Sequence, residues 1–119
     1  MLFELPHSHT TVLRGQLELD AFATHLIIGH ISATARPDVL ILGNNPLTDL
    51  KDNALYRHIT FIQEQDMPID SRRYSLIVVN YPVQTTVNNE LIQIEVSQEQ
   101  HTVLQRLAFV GIPFLAIVS

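Results

Sequence analysis

The strongest constraint on the fold is the run Val39-Leu40-Ile41-Leu42, which has no polar face and is followed at once by Gly43-Asn44-Asn45-Pro46. A strand with one wet face alternates polar and apolar residues. A strand with none must be covered on both sides, which is the condition inside a parallel sheet. Asn45 before Pro46 supplies an N-cap and a proline at the first helical position, and Leu47, Leu50, Ala54, Leu55 and His58 recur at helical spacing. The pattern therefore predicts a core strand, a tight turn and a helix from Pro46 to about Arg57.

The rest of the chain repeats this grammar. From Leu13 to Asp20, Leu13, Gly15, Leu17 and Leu19 alternate with Arg14, Gln16, Glu18 and Asp20, a period of two expected of a strand near a sheet edge. Asp20 is then placed to cap a helix through Ala21, Phe22, Leu26 and Ile27. The β-branched Ile27, Ile28 and Ile31 read almost as well as a strand, and helix is preferred. Ile59 to Ile62 and Tyr74 to Tyr81 are expected as strands flanking a polar loop from Gln63 to Arg73. Glu90 to Val96 reads as an edge strand or an irregular lead into a helix opened by a Ser97-x-x-Gln100 capping box. That helix presents Val103, Leu104, Leu107 and Val110, ends at Gly111 and feeds a last strand from Pro113 to Val118. Strands separated by helices imply right-handed crossovers. The expected fold is one α/β domain over residues 1–119, a three-layer α/β/α arrangement with a mainly parallel central sheet, Rossmann-like.

Composition narrows function by exclusion. The chain of 119 residues has no Cys, which removes disulfides and thiol chemistry and suits a reducing compartment. No stretch approaches the roughly 18 apolar residues of a membrane span, and Met1 to Pro6 does not read as a secretory leader. A cytoplasmic location is expected. Twelve acidic residues against seven basic ones, of which Lys51 is the sole lysine, give a formal charge of -5. Strong direct nucleic-acid binding is disfavoured, because a phosphate-backbone binder carries a basic stripe.

Ligands of open parallel sheets gather at the carboxyl ends of the strands, where Gly43, Asn44, Asn45, Pro46 and Asn80 are expected to meet. Gly43 permits close approach, and the free N–H groups opening the Pro46 helix suit an anion. Turn plus helix cap is the plainer reading, since one glycine is neither a dinucleotide fingerprint nor a P-loop. Asp38, Asp49, Asp52, Asp66 and Asp70 form no paired spacing and read as solvated charge or helix-start residues. His7-x-His9 has no third metal ligand at a recognisable spacing, and His25, His30, His58 and His101 stand alone. Ser71, Ser75, Ser97 and Ser119 lack a nucleophile elbow. No catalytic residue, metal or cofactor is expected. Arg72-Arg73 is the one adjacent basic pair and a candidate for an acidic partner or a phosphate. Phe3, Leu5, Tyr56 and Tyr81 are candidate partner anchors if exposed.

Pro37-Asp38-Val39-Leu40-Ile41-Leu42-Gly43-Asn44-Asn45-Pro46 resembles the first strand and turn of the uracil-DNA glycosylase superfamily, which implies a water-positioning role for Asn45. That superfamily also carries a late His-Pro-Ser or Asn-Pro-Ser turn with a Leu wedge, where this sequence has Gly111-Ile112-Pro113-Phe114. Glycosylase chemistry is accordingly not expected. Phe3-Glu4-Leu5, Leu13-Arg14-Gly15-Gln16, Val39 to Asn45 and Leu47-Thr48-Asp49 together resemble the psi-subunit family of the bacterial DNA polymerase III clamp-loader complex, a catalytically silent relative of that fold. This second resemblance implies a non-enzymatic adaptor joining clamp-loader subunits to a chi-like subunit and, through it, to single-stranded-DNA-binding protein. In that family the clamp-loader contact precedes the aromatic-x-Leu motif, ahead of which stand Met1 and Leu2 in this sequence. Two other readings stay open: a small nucleotide- or phosphate-binding domain or enzyme using the Gly43 to Pro46 turn with Asp38, Asn45 and Asn80, and an interaction domain unrelated to replication.

Overall fold

The structure is a computed structural model that describes residues 1–14, 19–45, 47, 54–63, 67–70, 72–81, 85–88 and 91–118. Five strands form a parallel sheet: β2 (Thr10–Arg14), β3 (Val39–Gly43), β4 (Ile59–Ile62), β5 (Leu76–Asn80) and β8 (Phe114–Val118), in the order β2-β8-β5-β3-β4. Every residue of β3, β5 and β8 is buried, as their unbroken apolar runs require. β3 is interior, but the central position belongs to β5.

The alternation of side chains along these strands builds two cores. Val39 and Ile41 of β3, Leu76 and Val78 of β5 and Leu115 and Ile117 of β8 face helix α1 (Leu19–Ala33). Leu40, Leu42, Ile77, Val79, Phe114 and Ala116 face the opposite way, toward helix α2 (Gln98–Phe109) and a second sheet. Each buried aliphatic side chain stabilises the fold by about 1.5–3 kcal/mol relative to exposure. The helix-or-strand ambiguity in the first third resolves as a helix because Ala23, Ile27 and Ile31, four apart, form one fully buried stripe.

The second sheet is a surprise of the sequence's own making. Strands β1 (Leu2–Glu4), β7 (Leu91–Glu95) and β6 (Thr85–Asn88) pair antiparallel in that order. β7 is thus the middle strand of a sheet, not an edge or a lead-in, and its Ile92 and Ile94 turn inward with Phe3 and Leu5. β1 and β6 are three and four residues long, too short to declare a period. The first parallel strand also sits earlier than expected, at Thr10–Arg14 instead of Leu13 to Asp20. Threonine is a strong strand former, and counting only hydrocarbon residues overlooks Thr10 and Thr11. Because α1 begins at Leu19, Asp20 lies inside the helix rather than capping it. The edge position expected for this strand holds, with β8 as its neighbour.

Most of the helix expected from Pro46 falls outside the described residues; its end, Ala54–His58, is a 3-10 helix. α2 opens and closes as its sequence dictates. The Ser97 side chain accepts from the Gln100 N–H at 3.2 Å while Gln100 Oε1 accepts from the Ser97 N–H at 3.3 Å, the two halves of a capping box. At the other end Gly111, at φ 87°, lets its N–H reach the carbonyl of Ala108 at 3.0 Å and that of Ile112 reach Leu107 at 3.1 Å, a Schellman closure.

Candidate functional site

The carboxyl ends of β3 and β5 lie side by side, with Gly43 registered opposite Asn80. Gly43 sits at φ +103°, and a Cβ there would fall 2.2 Å from the Asn80 carbonyl oxygen and 2.9 Å from Cδ1 of Tyr81. No other residue fits, for backbone and for space. The close approach serves a reciprocal pair of bonds: the Asn44 N–H donates to the Asn80 carbonyl at 2.9 Å, and Asn80 Nδ2 donates to the Asn44 carbonyl at 2.9 Å.

Asn45 is engaged at both ends of its amide. Its Oδ1 accepts from the Leu47 N–H at 2.7 Å and its Nδ2 donates to the Tyr56 hydroxyl at 3.0 Å. The amide orientation is fixed by chemistry, since a backbone N–H only donates. The Leu47 bond is one an N-cap would make, the helix it would cap lies mostly outside the described residues, and the residue suited to hold a water on family resemblance is holding the chain instead. Tyr81, buried against Gly43, donates from its hydroxyl to the Ile62 carbonyl at 3.1 Å and joins β4 to the same corner. Burial raises the Tyr81 phenol above its ordinary pKa, so it stays protonated as a donor at neutral pH.

Asp38 does not join this corner. It precedes β3, whereas Gly43 ends it, a separation of roughly 16 Å at about 3.3 Å per residue. A single site containing Asp38, Asn45 and Asn80 is excluded by this placement. Asp38 belongs instead to a cluster at the amino ends of the strands that the sequence did not reveal. Its carbonyl accepts from the Ser75 N–H at 2.8 Å and from Ser75 Oγ at 3.1 Å, and Ser75 Oγ lies 2.8 Å from His30 Nε2. His58 Nδ1 stands 3.8 Å from Asp38 Oδ1.

A serine 2.8 Å from a histidine invites comparison with a nucleophile and its base. The Ser75 hydroxyl has one proton and two acceptors within reach, His30 Nε2 at 2.8 Å and the Asp38 carbonyl at 3.1 Å, so the direction of the Ser75–His30 bond follows the His30 tautomer. Burial lowers the His30 pKa below its ordinary value and keeps the ring neutral at pH 7. The arrangement ties α1 to the start of β5 and to the residue before β3. No local pattern could have found it, because His30 and Ser75 are 45 positions apart.

The candidate partner anchors are largely internal. Phe3 and Leu5 are each 3% exposed and Tyr81 is 7%. The Phe3 ring meets His101 edge-on at 5.7 Å and Phe114 at 5.8 Å. Phe3 and Leu5 cannot serve as surface contacts in this fold, because the inward face of β1 is what docks the small sheet. Tyr56 is half-buried against Phe61. Arg72 and Arg73 are exposed; Arg72 is tied locally, its Nη2 3.6 Å from Asp70 Oδ2 and its N–H 3.0 Å from Asp70 Oδ1. Among the described residues the large apolar side chains that face solvent are Phe109, 92% exposed, then Met1, Leu2 and Val110, and to a lesser degree Met67, Leu26, Val87 and Val12. His7 and His9 lie exposed in a short 3-10 turn, and among the described residues no three His, Asp or Glu groups gather to hold a metal. Pro46, Thr48, Asp49, Lys51, Asp52, Asp66, Ser71 and Ser119 lie outside the described residues. Among the described residues, no helix is long and apolar enough to cross a membrane.

No protein-family model, no curated protein and no solved structure matches this chain.

Proposed function

We propose that the protein is a non-enzymatic adaptor subunit of a cytoplasmic DNA replication complex, joining clamp-loader subunits to a chi-like subunit and the single-stranded-DNA-binding protein beyond it. The observation that carries the non-enzymatic part is the corner at Gly43, Asn44, Asn45 and Asn80. The Asn45 side chain and the Asn44–Asn80 pair bond to the protein itself, where a ligand-binding turn would present them outward. The replication assignment rests on the sequence resemblance at Phe3 to Leu5, Leu13 to Gln16, Val39 to Asn45 and Leu47 to Asp49. The parallel sheet, with α1 on one face and α2 plus the small sheet on the other, supports reading the chain as one three-layer, Rossmann-like domain, the frame that resemblance requires.

With Phe3 and Leu5 internal, the partner contacts fall to exposed groups, of which Arg73 and the Phe109-Val110 knob are the plainest. A solvent-facing aromatic is the kind of residue that anchors an interface. Gel filtration of the chain mixed with clamp-loader subunits and chi at micromolar concentration tests the proposal. Elution in a common complex is the expected result, and separate elution of every component overturns it.

A further inference from the structure

The edge strand β2 of the parallel sheet has two properties that bear on what can pair with it. Its outer side has no strand beside it among the described residues, so alternate N–H and C=O groups from Thr10 to Arg14 face outward. Thr10-Thr11-Val12-Leu13 is uncharged and proline-free, the strand's one charge, Arg14, stands at its end, and the register with β8 runs unbroken from Thr10 opposite Phe114 to Arg14 opposite Val118. It is also bordered by a cleft on each face. On the α1 face a cleft of about 180 Å3 lies between Thr11, Leu26, His30, Leu76 and Phe114. On the opposite face a smaller one of about 50 Å3 lies between Thr10, Val12, Leu5 and Ile92.

From this we infer that β2 is a docking edge for an extended peptide segment of another protein, which adds to the sheet as a sixth strand. Main-chain bonds to the free edge supply affinity, and alternate side chains enter the two clefts and supply specificity. The linings of the clefts set the sequence read: an apolar residue of leucine size against Leu26, Leu76 and Phe114 on the α1 face, and a small residue beside Thr10 and Val12 on the other. A second copy of this chain fits poorly. Its own β2 offers only Thr11 and Leu13 on the α1 face, and Leu13 is already packed into its own core. It therefore has no bulky side chain to fill the larger cleft. The inference deepens the adaptor reading by naming one partner surface, and its test uses no replication protein, so either can fail without the other.

The probe is a capped peptide of roughly nine residues, leucine alternating with alanine and one charged residue at each end, added to the full chain while amide hydrogen exchange is followed. The outward amides of Thr10 to Arg14 are expected to slow by about tenfold or more. Methylating the peptide's alternate backbone nitrogens on the docking side, which leaves its side chains intact, is expected to weaken binding by about tenfold, as is Thr11→Glu in the protein. Glu99→Gln, at an exposed position in the first turn of α2, is expected to change nothing. Absence of protection at millimolar peptide, protection confined to β4 or β6, or equal binding by the methylated peptide overturns the inference. So does protection of β2 by protein concentration alone, which would make a second copy the occupant.

Discussion

The two ends of the parallel sheet are finished by the same kind of residue and to different effect. At the carboxyl end, Asn44, Asn45 and Asn80 close the corner on itself, with a glycine pressed against the neighbouring strand. At the amino end, His30 and Ser75 also satisfy one another, yet they do so beside an open cleft that reaches the edge strand. Parallel α/β folds place their chemistry at the carboxyl end. Here, among the described residues, the Asn45 and Asn80 side chains at that end are taken up by bonds within the chain, while the cleft beside β2 borders the other end. Fold architecture therefore says where a site would be, and only the hydrogen-bond partners say whether one is there.

The sharpest break in this comparison is Gly43→Ala. The added Cβ meets a carbonyl oxygen at 2.2 Å in a conformation that L-residues avoid, so urea unfolding should show a loss of about 3–5 kcal/mol. Gly29, on α1, has nothing within 4 Å of an added Cβ; Gly29→Ala should stabilise by about 1 kcal/mol through helix propensity alone. Equal effects at the two glycines would mean that the carboxyl corner is not closed as described.

Asn80→Ala removes the donor to the Asn44 carbonyl and should cost about 1–2 kcal/mol in the same assay. A neutral result would show that water replaces the bond freely and that the corner is open to solvent. The smallest effect belongs to the amino end. Because burial holds the His30 pKa below its ordinary 6.5 in the folded state, the unfolded chain binds the proton more readily. Stability from this group is full above about pH 6.5 and declines as the pH falls through the lowered folded value. Denaturation midpoints measured from pH 7.5 down to 5 should fall more steeply in the wild type than in His30→Gln.

What was legible in the sequence was local. The unbroken apolar runs of β3, β5 and β8, the short β4 and the Ser97–Gln100 box each declare themselves within a few residues. Gly43 reads as a turn glycine, which its φ of +103° bears out, and Asn45 as a residue whose side chain accepts from the backbone just ahead of it, which it does. The small sheet was not legible, because Leu2–Glu4 and Thr85–Asn88 become strands only when Leu91–Glu95 arrives between them. The same reason hid the true role of Phe3 and Leu5: an aromatic-x-Leu pair near a terminus reads as a surface anchor until a partner strand turns it inward. The Ser75–His30 contact and the clefts beside β2 depend on tertiary placement throughout.

The proposed non-enzymatic reading rests on the Gly43–Asn45 corner being a structural joint, its side chains held by the chain itself. Thermal unfolding of the chain with nucleoside mono-, di- and triphosphates and with inorganic phosphate tests it most directly. A bound ligand at 100 times its dissociation constant stabilises a fold by about 2.7 kcal/mol. The account predicts an unchanged midpoint with each of them; an upward shift that disappears in Asn45→Ala would contradict it.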